Sequence, residues 1–329
     1  MTAELVLERT RPRPPARRRA LILASLLALS ASPGHAQLAA AHMMTAFGLK
    51  SGSQAPPGGF LVPTYINWNV DHIVGRDGGE VPLDLNVNAL ALFTWVVTPK
   101  KLLGGNYGFQ VIAPFLSNSV ELPRLGFESS SSLGFGDLYV QPVNLGWHTP
   151  RADFMAGLGF YAPTGSYEAG GDDNKGLGMW SYELSGGSTL YFDKKQQWHI
   201  SALGFYEMHS SKEDQDLKAG SVLTVEGGLG GTFLKGGLNV GVAYGAQWKI
   251  TDDSGADFPS AVLPGKNHGY TIGPEASLVG FYKPPWIVSL TTRYLWDVGG
   301  KSTFEGNRLI VFATIGHLRL PPAAETTTQ

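Results

Sequence analysis

His199 and Ser201 are the two residues of this chain whose types and spacing come nearest to a catalytic pairing. In an extended segment, residues two apart share a face, so the imidazole could take a proton from the serine hydroxyl and create a nucleophile. Three features argue against it. The neighbours Trp198, Ile200 and Ala202 form the apolar face, which turns the pair toward an interior. The pair follows directly on a short turn at 193–196. No Asp or Asn stands out as the third group that would orient the imidazole. The expectation is that the chain is not an enzyme and has no catalytic residue; a hydrolase built on His199 and Ser201 is kept as an alternative.

Other chemistry is weaker still. Asp172-Asp173-Asn174 and Asp252-Asp253 are oxygen-rich, but they lack the spacing of a calcium loop and read as solvated acidic loops, with no metal. The glycines of Gly227–Gly231 are not followed by Lys-Ser or Lys-Thr, so they do not form a phosphate loop. Glycine on a strand more often marks close backbone packing or a bend. Cysteine is absent, which excludes disulfide frameworks, thiolate zinc sites and a cysteine nucleophile. No cofactor is implied. The formal net charge of −2 gives no reason to expect nucleic acid as a partner.

Residues 1–36 carry six arginines and two glutamates, so the rest of the chain has a formal charge of −6. A basic stretch ending at Arg19, an apolar run Ala20–Leu29 and small residues beyond it have the layout of a signal peptide. Cleavage is expected after Ala36, with Gly34 two positions before it, or after Ala41, with Ala39 in that place. Residues 37–58 have no sustained period and read as a periplasmic linker, and 321–329 as a C-terminal tail.

Between them the period is two. Leu83, Leu85, Val87, Ala89, Ala91, Phe93, Trp95 and Val97 make one face of a segment, opposite Asp84, Asn86 and Asn88. Leu238, Val240, Val242, Tyr244, Ala246, Trp248 and Ile250 do the same further on. Strands have this period and helices do not. Twelve such strands are expected, at 59–70, 82–98, 105–116, 133–147, 152–162, 178–192, 197–209, 219–233, 237–250, 268–281, 286–298 and 308–320. Most exceed the usual ~5–6 residues of a soluble strand and suit a tilted crossing of a bilayer, which needs ~9–11. Short and long connections alternate strictly, as in outer-membrane barrels with short periplasmic turns and longer outside loops. Trp68, Trp147, Trp180, Trp198, Trp248 and Trp286 sit near strand ends, where an interfacial girdle places them. The expected fold is all-β: a transmembrane, antiparallel, up-and-down β-barrel of about 12 strands over 59–320, in the outer membrane of a Gram-negative bacterium. Its expected partners are outer-membrane lipid and the barrel assembly machinery.

If the more apolar face of every strand meets lipid, the lumen takes the other. Its polar candidates are Asp84, Asn86, Asp137, Glu183, Glu207, Glu226, Lys249, Glu275 and Arg293. Its apolar candidates are Leu90, Leu92, Phe205 and Leu295. Carboxylates outnumber bases in the full interior set, so they must pair or accept hydrogen bonds. Twelve strands lie between the filled eight-stranded barrels and the open sixteen-stranded ones, so a narrow, partly filled lumen is expected.

Several segments resemble a known family. They are Pro56–Gly59 (PPGG), Gly104–Phe115 (GGNYGFQVIAPF), Gly134–Trp147 (GFGDLYVQPVNLGW), Ala162–Tyr167 (APTGSY), Trp180–Glu183 (WSYE), Thr251–Gly255 (TDDSG) and Gly273–Pro274. In this order they resemble the SphA-like outer-membrane proteins linked to the meta-pathway of phenol degradation. The resemblance implies a link to uptake of aromatic compounds and brings no catalytic residues. The expected function is a passive channel for small hydrophobic or aromatic solutes. A structural or adhesive barrel without a transport role is the alternative.

Overall fold

A computed structural model describes residues 40–319 except 123–126, 170, 172 and 258–265. The expected signal peptide and C-terminal tail lie outside the described residues, as does Asp172. Strands dominate: β1 Gly58–Val74, β2 Glu80–Leu102, β3 Gly105–Leu122, β6 Leu138–His148, β7 Ala152–Ala162, β8 Ser181–Tyr191, β9 Trp198–His209, β10 Val222–Phe233, β11 Leu238–Lys249, β12 His268–Lys283, β13 Trp286–Lys301 and β14 Thr303–Leu318. Two short strands, β4 Phe127–Ser130 and β5 Gly134–Phe135, pair only with β3.

Every long strand pairs antiparallel with its neighbours. The ring closes where β1 meets β14, from Gly58 opposite Leu318 to Val74 opposite Thr303. The result is a closed barrel of twelve strands. Closure satisfies each strand's backbone on both sides, which a lipid-embedded sheet requires.

One end of the barrel has the five short turns. Asp193 caps one of them: its carboxylate accepts the backbone N–H of Trp198 (2.8 Å), Gln197 (2.9 Å) and Lys195 (3.0 Å). Those bonds, led by that from Trp198, hold its pKa below the ordinary carboxylate value. Leu103, Gln196 and Leu234 take positive φ at three turns, where a hairpin reverses too tightly for ordinary backbone angles. At the other end β1, β2, β3, β12, β13 and β14 run 16–23 residues, while β6 to β11 run 11–12. The connection expected as a loop at 299–307 is therefore mostly strand, turning at Ser302.

The outer surface is apolar between two aromatic belts. Leu184, Leu229, Leu278 and Leu290 are exposed along it. Trp198 and Trp286 stand at the short-turn end, and Trp180, Tyr182 and Trp296 toward the other.

The segment expected as a periplasmic linker is elsewhere. Its described part, 40–57, runs inside the barrel. It has no repeating pattern because it faces different strands in turn, and its partners are the polar residues of their inner faces.

Candidate functional site

Four carboxylates project inward from neighbouring strands: Glu183 on β8, Glu207 on β9, Glu226 on β10 and Glu275 on β12. All are buried. Three of them bind backbone N–H groups of the inserted segment. Glu207 accepts from Ala41 (2.9 Å) and His42 (2.8 Å). Glu226 accepts from Phe47 (2.7 Å) and Thr45. Glu275 accepts from Leu49 at 3.1 Å. Glu183 takes the Tyr139 hydroxyl at 2.6 Å and the His42 imidazole Nδ1 at 3.0 Å. A carboxylate can accept several bonds and an irregular segment has N–H groups without partners, so each side removes the other's desolvation cost.

Basic groups complete the seat. Arg293 Nε donates to Glu275 at 2.7 Å, and its guanidinium also reaches the Thr45 carbonyl. Arg308 bonds Asp297 at 2.7 Å and Met44 O at 3.3 Å, and lies over the Trp68 ring. Further along, Ser51 donates to Ser201 Oγ at 3.2 Å, Ser53 to Asp153 at 2.7 Å, and Gln54 to Asn144 at 2.8 Å.

Apolar contacts alternate with these. Met155, Leu203 and Phe205 form one buried cluster, joined by Phe47 of the segment and Trp95 of β2. Ala243, Leu295 and Ile310 form a second, joined by Met43, Ile66 and Phe312. The His42 ring stacks on Phe205 with centroids 3.9 Å apart. Glycines make room for the segment: a Cβ on Gly228, Gly230 or Gly241 would come within 2.6, 3.0 or 2.8 Å of Leu49 Cδ2.

The predicted lumen residues divide. Glu183, Glu207, Glu226, Glu275 and Arg293, with Phe205 and Leu295, meet around the segment. Lys249 is also interior, bound to both Asp253 oxygens at 2.7 and 2.9 Å, which ties the β11–β12 connection down. Four expectations are corrected. Asp84, Asn86, Leu90 and Leu92 point outward, and the inner face of β2 is the one with Val87, Ala89, Ala91 and Trp95. Ala89 and Ala91 are buried while Leu90 is 49 % exposed, and Trp95 packs on the interior cluster. The apolar-outside rule fails there because the interior is filled, and Trp95 packs with Phe47 of the segment against the interior cluster. Asp137 is a fifth correction. It precedes β6 and accepts the N–H of Leu177 (2.7 Å) and Gly165 (3.1 Å), so it anchors the β7–β8 connection rather than lining a constriction. Burial keeps its pKa above the ordinary value.

His199 and Ser201 share an inner face without forming a catalytic pair. Ser201 Oγ is taken up by the segment and by Gly228 N, and not by the imidazole. A second pairing, missed in the sequence, joins Ser181 Oγ and His209 Nδ1 at 2.9 Å, with Glu207 3.9 Å from Nε2. All three are buried, and Glu207 is committed to the segment's backbone. The inserted segment itself was the larger omission. Its one signal in the sequence is the surplus of interior carboxylates, which needed donors that the strands do not supply.

The description "Putative MetA-pathway of phenol degradation" matches residues 70–312. The chain belongs to that family. Among solved structures it is similar to the COG4313 outer membrane channel from Pseudomonas putida F1, at 16% identity over 80% of this chain and 97% of that one, with a TM-score of 0.67. That likeness shows the fold. The β domain of the Bordetella autotransporter BrkA (10% identity, 80% and 100% coverage, TM-score 0.41) and a Pseudomonas aeruginosa FadL homologue (9%, 79% and 89%, 0.33) are more distant. No curated protein matches the sequence.

Proposed function

We propose that this barrel is a passive outer-membrane channel for small hydrophobic or aromatic compounds, and that segment 40–57 is its internal gate. One observation carries the reading. Each apolar cluster on the barrel wall is completed by an apolar side chain of the segment, Phe47 at one and Met43 at the other. Moving the segment would uncover two apolar surfaces inside an otherwise polar lumen. An apolar solute could take the place of Phe47 or Met43, with a gain of ~25 cal/mol per Å² of apolar surface covered. Sugars and ions would gain nothing there. The family's link to phenol degradation agrees with such a cargo, and the similar P. putida protein is described as a channel.

In this reading the short turns face the periplasm and the longer connections face outward. The gate enters from the periplasmic end, since Pro57 leads directly into Gly58 at the closing seam, where Arg319 N bonds Pro57 O.

A locked gate tests it. The Ser51 and Ser201 oxygens are 3.2 Å apart and buried, so Ser51→Cys with Ser201→Cys places two sulfurs near bonding distance in a chain with no other cysteine. Oxidised cells should take up labelled toluene or phenol no faster than cells lacking the protein, and reductant should restore the rate. Uptake unaffected by the lock would refute the gate. Equal aromatic uptake with and without the unmodified protein would refute the channel and favour a structural barrel.

A further inference from the structure

The outward turn of Asn86 exposes an arrangement on the opposite side of the wall from the gate. Asn67 and Asn69 on β1 lie directly across from Asn88 and Asn86 on β2. Their side chains close a ring in which each amide donates to the next. Asn67 Nδ2 donates to Asn88 Oδ1 (2.9 Å), Asn88 to Asn86, Asn86 to Asn69, and Asn69 to Asn67 (2.7 Å). The Tyr65 hydroxyl adds a bond to Asn88 at 2.8 Å. Each carboxamide spends one N–H and one oxygen site on the ring and retains a second N–H. Asn67, Asn69 and Asn86 also retain acceptor capacity, while Asn88 Oδ1 is filled by Asn67 and Tyr65.

Its height on the barrel limits what can meet it. The row through Trp286 of the short-turn belt runs by His317 and Gly59 to Val96, and Asn86 is ten residues beyond Val96. At ~3.3 Å per residue and a tilt of ~40°, that places Asn86 ~25 Å above that belt, at the far edge of an apolar band ~25 Å tall. The hydrogen-bonded row through Asn69 and Asn86 also passes through Trp296 of the outer aromatic belt, by way of Asn307. The ring therefore continues the lipid-facing surface of Leu90 and Tyr65 into the polar layer of the leaflet on the long-loop side. Beside it is a cleft of about 370 Å³, lined by Asn69, Asn86, Ser119 and the acids Asp71, Asp84 and Glu121.

We infer that this face binds the sugars of the outer-leaflet glycolipid, lipopolysaccharide. Amides offering a donor and an acceptor side by side match the hydroxyls of a sugar ring, and carboxylates accept from the same hydroxyls. The acids repel phosphate, so the core sugars rather than the lipid A phosphates are the recognised part. The ring holds the amides in place before binding, which reduces the side-chain entropy lost on contact. The inference rests on the outer-membrane placement proposed above.

The test is thermal unfolding of the purified barrel in detergent with EDTA, which prevents cations from bridging phosphate to the acids. Lipopolysaccharide carrying its core sugars is compared with lipid A lacking them. The core-bearing form should raise the unfolding temperature of the unmodified protein more than lipid A does. Asn67→Leu with Asn88→Leu should abolish that difference, while Asn67→Gln with Asn88→Gln should retain part of it. Both variants must first unfold cooperatively without glycolipid; should the leucine pair not fold, Asn86→Ser with Ser119→Ala takes its place. Equal effects of the two glycolipids on the unmodified protein, or a core-dependent shift kept by the leucine pair, would overturn the inference. Failure of the placement is seen separately, as absence of the barrel from the outer-membrane fraction.

Discussion

Replacing Glu226 by Ala isolates the force that holds the gate. Glu226 is fully buried and accepts two backbone N–H groups of the segment, those of Thr45 and Phe47. It also lies 3.6 Å from the imidazole Nε2 of His42. Glu275 is a poorer choice, because removing it would strand Arg293, whose Nε it accepts. Hydrogen bonds to a charged group contribute ~1.5–3 kcal/mol each. Two of them at the low end give about 3 kcal/mol, lost only when the segment is seated. At ~1.4 kcal/mol per tenfold, the ratio of displaced to seated segment should rise roughly 100-fold. Single-channel recording in planar bilayers reads this as a corresponding rise in the time spent in a larger-conductance state. Glu226→Gln keeps one carbonyl acceptor and should fall between. The barrel's own unfolding temperature should change far less than the gating ratio, because the twelve-strand hydrogen-bond ring is untouched. An Ala variant that folds normally and shows the same conductance and dwell times would refute the assignment of these bonds as the latch.

Steric pressure should act in the same direction. Gly228→Ala places a Cβ 2.6 Å from Leu49 Cδ2, its nearest neighbour, and 3.0 Å from Val242 O; it should favour the displaced state, and adding Leu49→Ala should cancel the larger part of the effect in the same recordings. Charge on the lipid face should be costly: Leu278→Arg or Leu290→Arg, both on exposed outer positions, should cost ~2–4 kcal/mol near the midplane and lower the yield of folded barrel on heat-modifiability gels. Orientation can be read by cysteine labelling of intact cells. Gln215→Cys and Asp257→Cys should react with an impermeant reagent and Lys194→Cys and Lys283→Cys should not; the reverse pattern would invert the topology.

How far the sequence could be read depends on what each residue's neighbours were. On β11 the alternation was decisive, because Val242 is exposed on the outer wall and Ala243 is buried in the interior. All twelve strands were legible for the same reason: an outward-facing residue every second position leaves a period that composition cannot hide. The strict alternation of short and long connections was not, since β13 and β14 are joined through Ser302 alone. On β2 both faces carry apolar residues in the lower half, Leu90 and Leu92 outside against Ala89, Ala91 and Trp95 inside. A two-residue period gives the phase of a strand only relative to itself, so the inner and outer labels had to come from the assumption that the greasier side is outside. A lumen filled by protein violates that assumption. The asparagines of β1 and β2 compounded the error, since polar residues outside are acceptable only above the apolar band, and height is set by strand tilt and closure rather than by any local pattern.

The interior carboxylates show the other limit. Glu183, Glu207, Glu226 and Glu275 were legible one by one, and their excess over Arg293 and Lys249 implied missing donors. Ion pairs among wall residues could not supply them. Backbone N–H groups of a segment without regular structure could, because such a segment has donors that no helix or sheet has used. On the proposed gating, the same property makes the arrangement reversible. A helix or strand leaving the lumen would carry its hydrogen bonds with it and leave the four carboxylates bare. A segment held to the wall by those carboxylates and by other side chains such as Arg293, Ser201 and Asn144 exchanges these bonds for water on both sides when it moves. On the proposed gating the lumen hydrates as it opens, and the balance between seated and displaced states rests on the hydrogen bonds to the wall and two apolar contacts.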